Sequence, residues 1–273
     1  GTRALMESAM ASPVTKEKVL EENRRVHALE NWQYLSRHPE QTNFFQSAIL
    51  ENTLDAVCSS LKQSSRILDL GCGTGYLSLG FLSRGYRLLG LDLSQEMIQA
   101  FEDSLTEKLQ SQAQFVVGDV EEFLLQNKDE FDVIALSAIL HHLFDYESVL
   151  RKICARLSAG NQLVIFFEPL KQEVQSPLRF VLHRVLSWLD EKLYRSEMRM
   201  RNISVLDEEY HHSDYQRQFG GIGPNRVQKI LQDEGLEVLK IEKYCARRYG
   251  INAWLANRIL KTQNTFNLLA TRI

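Results

Sequence analysis

The strongest constraint on the fold is a short apolar strand that runs directly into three alternate glycines. The stretch from Arg66 to Leu77 reads RILDLGCGTGYL, and the acidic residue Asp69 lies within its apolar part. Glycine has no Cβ and tolerates positive φ, so this loop allows the backbone to approach a ligand closely. A dinucleotide pyrophosphate requires the spacing G-x-G-x-x-G. Because Tyr76 occupies the place of the third glycine, the loop favours a nucleoside cofactor without a pyrophosphate.

The composition is that of an ordinary globular protein. The 273 residues are 44% hydrophobic and 25% charged, with a net charge of -3. Since nucleic-acid binders are usually clearly basic, no nucleic-acid partner is expected. The apolar runs are shorter than a membrane span, and no signal peptide is recognisable, so we expect a cytoplasmic protein without stable membrane insertion. The four cysteines show no metal-binding spacing, and the oligomeric state is left open.

Strand and helix patterns alternate along the centre of the chain, which predicts an α/β fold with a parallel, doubly wound sheet. Helical spacing over about residues 16–61 predicts helices before the sheet. The seven predicted strands are Arg66–Leu70, Arg87–Leu91, Gln114–Val117, Phe131–Leu136, Gln162–Phe167, Glu237–Ala246 and Thr265–Thr271.

No strand pattern is recognised from about Glu168 to Gly221. Within this region Ser176-Pro177 is a favourable helix start, and an apolar stripe follows from Leu178 to Leu193. The stripe predicts a core or lid helix, with binding to a membrane surface as an alternative because basic residues accompany it. The three arginines that follow favour a solvated face, or alternatively a site for an anionic substrate: Arg195, Arg199 and Arg201.

Acidic and polar residues follow the ends of successive predicted strands, where open α/β sheets bind ligands. Asp92 ends the second strand, and its carboxylate offers acceptors for both hydroxyls of a ribose. Asp119 follows the third strand and suits the exocyclic amine of an adenine. Ser137 follows the fourth strand and leads into His141-His142. An ordinary tight turn with two helix-capping aspartates is the alternative, but it does not explain why such residues recur at three strand ends.

In this order, the loop and the two acids resemble the class I S-adenosylmethionine-dependent methyltransferases of the seven-stranded Rossmann-like type, in their small-molecule subset. The resemblance covers Arg66 to about Phe167, with Asn161 as a departure in the turn before the fifth strand. It implies a last strand antiparallel to the others, a helical lid insertion and S-adenosyl-L-methionine as cofactor. The implied cofactor-binding residues are Asp69, Gly71, Cys72, Gly73, Gly75, Asp92, Leu93, Met97, Asp119, Val120, Ser137 and Tyr34.

The acceptor side is less explicit. His142 is a candidate general base, although the histidine pair could instead cap or pack the turn after the fourth strand. Adjacent helical residues point in different directions, so at most one of the pair is expected to face the reaction centre. His141, His211 and Tyr215 are candidate substrate-binding residues. No metal is expected, because His211 and His212 lack a second, helix-spaced set of ligands.

These observations predict an enzyme that methylates a small molecule, most simply on a hydroxyl or carboxylate oxygen. The alternatives are N- or C-methylation of a small molecule or lipid-like quinone, a nicotinamide-dependent oxidoreductase that Tyr76 opposes, and a non-catalytic cofactor-binding adaptor. The chain is expected to comprise an expression remnant or flexible tail (1–15), helices covering the cofactor (16–62), the Rossmann-like core (63–168), a helical lid or substrate-binding insertion (169–221) and the end of the core (222–273).

Overall fold

The computed structural model describes residues 14–30, 33–173, 176–205, 216 and 220–273. Its strands are β1 Arg66–Leu70, β2 Arg87–Asp92, β3 Ala113–Val117, β4 Val133–Ser137, β5 Gln162–Glu173, β6 Leu236–Tyr244 and β7 Gln263–Arg272. They form one sheet in the order β3-β2-β1-β4-β5-β7-β6. Because β7 is antiparallel to both of its neighbours and the other pairs are parallel, the predicted antiparallel last strand is confirmed.

Helices cover both faces of the sheet. The α-helices are α1 Lys16–Glu30, α2 Tyr34–Arg37, α3 Pro39–Thr42, α4 Phe44–Cys58, α5 Ser78–Ser83, α6 Gln95–Ser104, α7 Glu107–Gln110, α8 Val120–Gln126, α9 Tyr146–Cys154, α10 Pro177–Met200, α11 Pro224–Asp233 and α12 Gly250–Leu255. A 3₁₀ turn spans Leu140–His142, and a π-helical turn at Ala256–Leu260 continues α12. Among the described residues, no helix is both long and apolar enough to cross a bilayer.

Alternation along the central strands builds two separate cores. Ile67 of β1 and Val133 of β4 face one side, where they pack with residues of α4, α5 and α6. Leu68 and Ile134 face the other side and pack with residues of α8, α9 and α11. Since the central strands are buried on both faces, they read in the sequence as nearly continuous apolar runs, which is typical of parallel sheets.

The fifth strand is longer than the sequence predicted. The prediction ended it at Phe167 and recognised no strand from Glu168 onward, whereas β5 continues to Glu173. The reason is a β-bulge between Ile165 and Glu168, where Phe167 adopts a φ of 57°. A bulge breaks the alternation of side chains, so the paired continuation of the strand is hidden in the sequence pattern. Residues 169–173 therefore belong to the sheet and not to the lid insertion in which the prediction placed them.

Candidate functional site

The glycine loop after β1 adopts the left-handed conformations that its spacing predicted. Gly71, Gly73 and Gly75 have φ values of 77°, 53° and 93°. A Cβ on Gly75 would lie 2.1 Å from the Phe101 ring, and one on Gly71 would lie 2.4 Å from Ile139 Cδ1. Both the backbone conformation and the close packing therefore require glycine at these two positions. The backbone of the loop therefore lines the space at the carboxyl end of β1.

Asp92, the last residue of β2, is tied directly to this loop. Its Oδ2 accepts the Gly73 N–H at 2.8 Å, and its Oδ1 accepts the Ser94 N–H at 2.9 Å. The side chain is almost fully buried but lines the cavity beside the loop. Because each carboxylate oxygen has acceptor capacity for more than one donor, both oxygens remain competent to bind the hydroxyls of a ribose.

Asp69 supports the loop from beneath rather than lining the cavity. It is completely buried, and its Oδ2 accepts the Ser78 hydroxyl at 2.5 Å. Burial raises the pKa of Asp69 to about 7, and the Asp92 carboxylate adds to the rise while the Ser78 hydroxyl opposes it. The neighbouring Cys72 does line the cavity, but burial raises the pKa of its thiol well above the ordinary value. The thiol therefore stays protonated and is unsuited to nucleophilic chemistry.

Asp119 closes the other end of the cavity at the start of α8. Its Oδ1 accepts the N–H groups of Glu121 and Glu122, both at 3.1 Å, so it caps the helix as well as facing the cavity. Lys16 of α1 reaches across to this helix, with its Nζ 2.9 Å from Glu121 Oε1 and 3.8 Å from Asp119 Oδ1. Burial opposes the charge of Lys16, but the contact with Glu121 raises its pKa above the ordinary value. This ion pair fastens α1 over the cavity.

Glu168 organises the loop after β4 and was missed by the sequence reasoning. Its fully buried carboxylate accepts the N–H groups of Ile139 and Leu140, both at 2.7 Å, and that of His141 at 3.3 Å. The same carboxylate lies 2.9 Å from His141 Nδ1. Glu168 thus caps the 3₁₀ turn that carries the histidine pair, and the preceding Ala138 adopts a φ of 52°. The available signal was an acid directly after an apolar strand.

A single open cavity connects these groups. It encloses about 1000 Å³, including the space at its mouth, and lies at the carboxyl ends of β1, β2 and β4. Eleven of the predicted site residues line it: Gly71, Cys72, Gly73, Asp92, Leu93, Met97, Asp119, Val120, Ser137, Tyr34 and His142. A concave site with apolar walls and a few converging polar groups is the usual form of a small-molecule site.

Three other predicted site residues that the structure describes do not line the cavity. Asp69 lies beneath the loop, Gly75 is packed against Phe101, and His141 is turned toward Glu168, so none of these three lines the cavity. The structure therefore gives no support to direct ligand contacts by their side chains. The candidate substrate-binding residues His211 and Tyr215 lie outside the described residues.

Helix α1 forms a wall of the cavity, and its lining residues were not named in the expectation that helices of 16–62 cover the cofactor. Lys16, Val19, Leu20, Asn23 and His27 recur every three to four residues and present one face of α1 to the cavity. Helical spacing is visible in this segment, but it does not show which residues of the helix face the cavity. Nothing in the local sequence indicates that this face covers a cavity and not another helix.

Two histidines meet at the end of the cavity away from Asp119. The ring of His142 lies 5.4 Å from that of His27, edge to face, and 4.0 Å from that of His141. Asn23 donates its side-chain N–H to the His142 carbonyl at 3.3 Å, which links α1 to the loop after β4. This end of the cavity is completed by Leu143 and Phe144. It combines apolar walls with imidazole groups that are able to exchange protons.

Several buried polar atoms around the cavity have no hydrogen-bond partner among the described residues. They include Asn23 Oδ1, His27 Nδ1, Gln41 Oε1 and Thr74 Oγ1. Buried polar groups are normally paired, so unpaired ones around a cavity indicate a polar ligand. Together with the paired Asp92 and Asp119 carboxylates and the open glycine cradle, the cavity fits a ligand with a ribose, an amine-bearing base and a polar tail. Among the described residues, no group of three acidic, histidine or cysteine side chains is arranged to hold a metal ion.

Comparison with known families agrees with this geometry. Residues 67–160 match a family model described as a methyltransferase domain. This segment begins in β1 and ends in the turn before β5, so it contains the glycine loop, Asp92 and Asp119. The described chain has the fold of the class I S-adenosylmethionine-dependent methyltransferases, as the resemblance implied. Its central segment is similar to the methyltransferase domains that this model describes.

Curated relatives match the same part of the chain. The O-antigen chain terminator bifunctional methyltransferase/kinase WbdD of Escherichia coli is 28% identical over 128 residues, which cover 46% of this chain and 18% of the relative. The ubiquinone biosynthesis O-methyltransferase of Dechloromonas aromatica is 35% identical over 118 residues, which cover 43% of this chain and 49% of the relative. The chain thus spans at most about half the length of either relative.

Solved structures extend the likeness to the whole fold. The N-methyltransferase NodS from Bradyrhizobium japonicum, solved with S-adenosyl-L-homocysteine, aligns with a TM-score of 0.55 at 15% identity. The alignment covers 88% of this chain and 97% of that structure. At this identity the likeness concerns the fold alone. NodS and the ubiquinone enzyme also differ in the atom they methylate, so the relatives do not agree on an acceptor.

Proposed function

We propose that this chain transfers the methyl group of S-adenosyl-L-methionine to an oxygen atom of a small molecule. The observation that carries the proposal is one cavity with two chemically different ends. One end presents the glycine loop, Asp92 and Asp119, and the other presents His27 and His142 between apolar walls. A donor and an acceptor bound at these ends would be held close together.

At the donor end, the residues present would bind and orient the cofactor. Asp92 would accept the ribose hydroxyls, Asp119 the adenine amine, and the loop around Gly73 would lie along the amino-acid portion. Thr74 and Gln41, whose oxygens have no partner in the part of the chain that the structure describes, would contribute further polar contacts there. The cofactor supplies an activated methyl group when bound, so the protein's task is to align the acceptor with it. Such alignment can lower a barrier by about 7–11 kcal/mol.

At the acceptor end, we assign His142 as the group that removes a proton from an acceptor hydroxyl. Its position is set from two sides, because Glu168 caps its turn and Asn23 binds its carbonyl. General-base assistance contributes about 10²- to 10⁴-fold where the acceptor must lose a proton. The apolar walls around Leu143 and Phe144 favour an acceptor with an apolar body and a hydroxyl group. A carboxylate acceptor would need no base and is the alternative oxygen acceptor.

The proposal predicts micromolar binding of S-adenosyl-L-methionine in a calorimetric titration, with no comparable response to NADH. The reason is that the loop accommodates a nucleoside without a pyrophosphate. Incubation of a host extract with isotopically labelled cofactor should then yield a labelled methyl ether or ester, identified by mass spectrometry. Micromolar NADH binding without S-adenosyl-L-methionine binding would contradict the donor assignment. A labelled amine would move the acceptor atom to nitrogen, and cofactor binding without any labelled product would favour a non-catalytic adaptor.

Once the methylated product is identified, replacing His142 tests its assignment as the general base. We expect His142→Asn to lower kcat by about 10²- to 10⁴-fold for a hydroxyl acceptor, because the proton acceptor is removed. The cofactor affinity should stay within about threefold. His27→Asn is the matched control, since it removes the imidazole that lies 5.4 Å from the His142 ring. A full loss in His27→Asn, with an active His142→Asn, would assign the base to His27 instead.

A further inference from the structure

The helix α10 has an apolar face that points away from the protein. Its inward side is formed by buried residues that are partly polar, among them His183, Asp190 and Tyr194. Seven large apolar side chains lie on the outward side, each between 42% and 68% exposed: Leu178, Val181, Leu182, Val185, Trp188, Leu189 and Leu193. Their spacing of three and four residues places them on one face. The stripe that the sequence favoured as a core or lid helix therefore faces outward.

Specific contacts on the inward side hold this orientation. Asp190 accepts the side-chain N–H of Asn252 at 2.8 Å and the backbone N–H of Arg248 at 3.2 Å. The guanidinium of Arg248 lies over the Tyr194 ring, 4.0 Å from its centroid. Rotating the helix to bury its apolar stripe would break these contacts and expose the partners of a buried acid. The outward apolar face is thus a consequence of the packing of α10 on the rest of the molecule.

The charges of α10 are divided between the two sides. Three cations are exposed along the outward side and its flanks: Arg184, Lys192 and Arg199. The Lys192 ammonium lies 4.2 Å from the centroid of the Trp188 ring. The cations therefore lie next to, and partly over, the exposed apolar side chains.

The carboxylates of α10 are held by other partners. Asp190 is buried on the inward side, and Glu191 pairs with Arg195 and Arg248 at 2.6 Å and 2.5 Å. Glu197 accepts the Tyr249 hydroxyl at 2.7 Å. As a result, the outward side combines apolar groups with cations, while the carboxylate of Glu191, on the same flank as Arg184, is neutralised by its two arginine partners.

We propose that this outward face of α10 docks on the surface of an anionic phospholipid bilayer, with the helix lying in the plane of the interface. Amphipathic interfacial helices combine large apolar residues with flanking cations, and anionic headgroups attract such cations. A second copy of the chain suits the face less well. A symmetric dimer through α10 would gather the cations of both copies, Arg184, Lys192 and Arg199, in one interface.

Vesicle binding by the whole chain tests the proposal. We expect the protein to sediment with vesicles of phosphatidylcholine and phosphatidylglycerol, and at least about tenfold less with phosphatidylcholine alone, because each cation near an anionic surface strengthens binding by about fivefold. Added salt should weaken the binding. The double variant Val185→Asp/Leu189→Asp should lose at least about tenfold in binding. Leu125→Asp, which changes a more exposed apolar residue on α8, is the control and should bind like the unmodified chain.

The variants replace exposed side chains, so the unfolding temperature and circular dichroism should be unchanged, and both are measured in parallel. Equal binding to neutral and anionic vesicles, or binding that survives Val185→Asp/Leu189→Asp, would overturn the proposal. A dimer that the double variant dissociates, found by analytical ultracentrifugation without vesicle binding, would assign the face to a second copy. The assay uses neither cofactor nor acceptor, so its outcome is independent of methyl transfer.

Discussion

Replacing Asp92 with alanine is expected to weaken S-adenosyl-L-methionine binding by about 100-fold or more. The substitution removes the acceptors for both ribose hydroxyls, and hydrogen bonds to a charged group contribute about 1.5–3 kcal/mol each. It also releases the Gly73 and Ser94 N–H groups, so the loop loses the contact that ties it to β2. Isothermal titration calorimetry measures the affinity directly. An affinity within about twofold of the unmodified chain would show that the ribose assignment is wrong.

Two controls separate a lost contact from a distorted loop. Asp92→Asn keeps one acceptor oxygen and nearly the same volume, so its affinity should lie between those of the alanine variant and the unmodified chain. Asp103→Ala removes an exposed aspartate on α6, and it should leave the affinity unchanged. If Asp92→Ala lowered the unfolding temperature but Asp92→Asn bound the cofactor normally, Asp92 would be a support of the loop and not a ligand.

The end of the cavity that we propose for the donor is formed by local sequence features, so its geometry could be predicted from the sequence. The spacing of the glycines predicts positive φ values in the loop. An acid at the end of a buried strand lies at the edge of the sheet where ligands bind in parallel α/β folds. Four residues at this end can therefore be recognised from the sequence immediately around them: Gly71, Gly73, Asp92 and Asp119. The alternation of strands and helices predicted the sheet by the same local logic.

The acceptor end depends on contacts between distant segments. Asn23 and His142 meet across 119 positions of sequence, and no spacing rule connects α1 to the loop after β4. The bulge at Phe167 likewise hides both the end of β5 and the inward turn of Glu168. For α10, periodicity shows which residues share a face but not whether the face is buried. The tertiary contacts of Asp190 and Tyr194 place their side of the helix against the protein, so the apolar side is exposed.

Glu168 connects two of these distant segments, because it lies on β5 and binds the turn after β4. Its replacement is expected to have the second large effect. Glu168→Ala leaves the N–H groups of Ile139, Leu140 and His141 without their acceptor in a buried turn. An unpaired buried group costs about 1–3 kcal/mol, so the free energy of unfolding should fall by several kcal/mol. Urea denaturation measures this loss. Glu237→Gln, which changes an exposed acid on β6, is the control for a change of charge.

Glu168→Gln separates stability from the position of His142. The amide keeps one acceptor and the volume of the side chain, so the variant should fold with a smaller loss of about 1–3 kcal/mol. Its remaining oxygen cannot serve both the Ile139–Leu140 pair and His141, so the 3₁₀ turn should shift relative to the glycine loop. We therefore expect kcat to fall by at least about 10-fold while the cofactor affinity, set by Asp92 on the far side of the loop, stays within about fivefold. Equal losses of affinity and kcat would mean that Glu168 supports the whole cavity, whereas unchanged turnover would mean that the turn does not position the base.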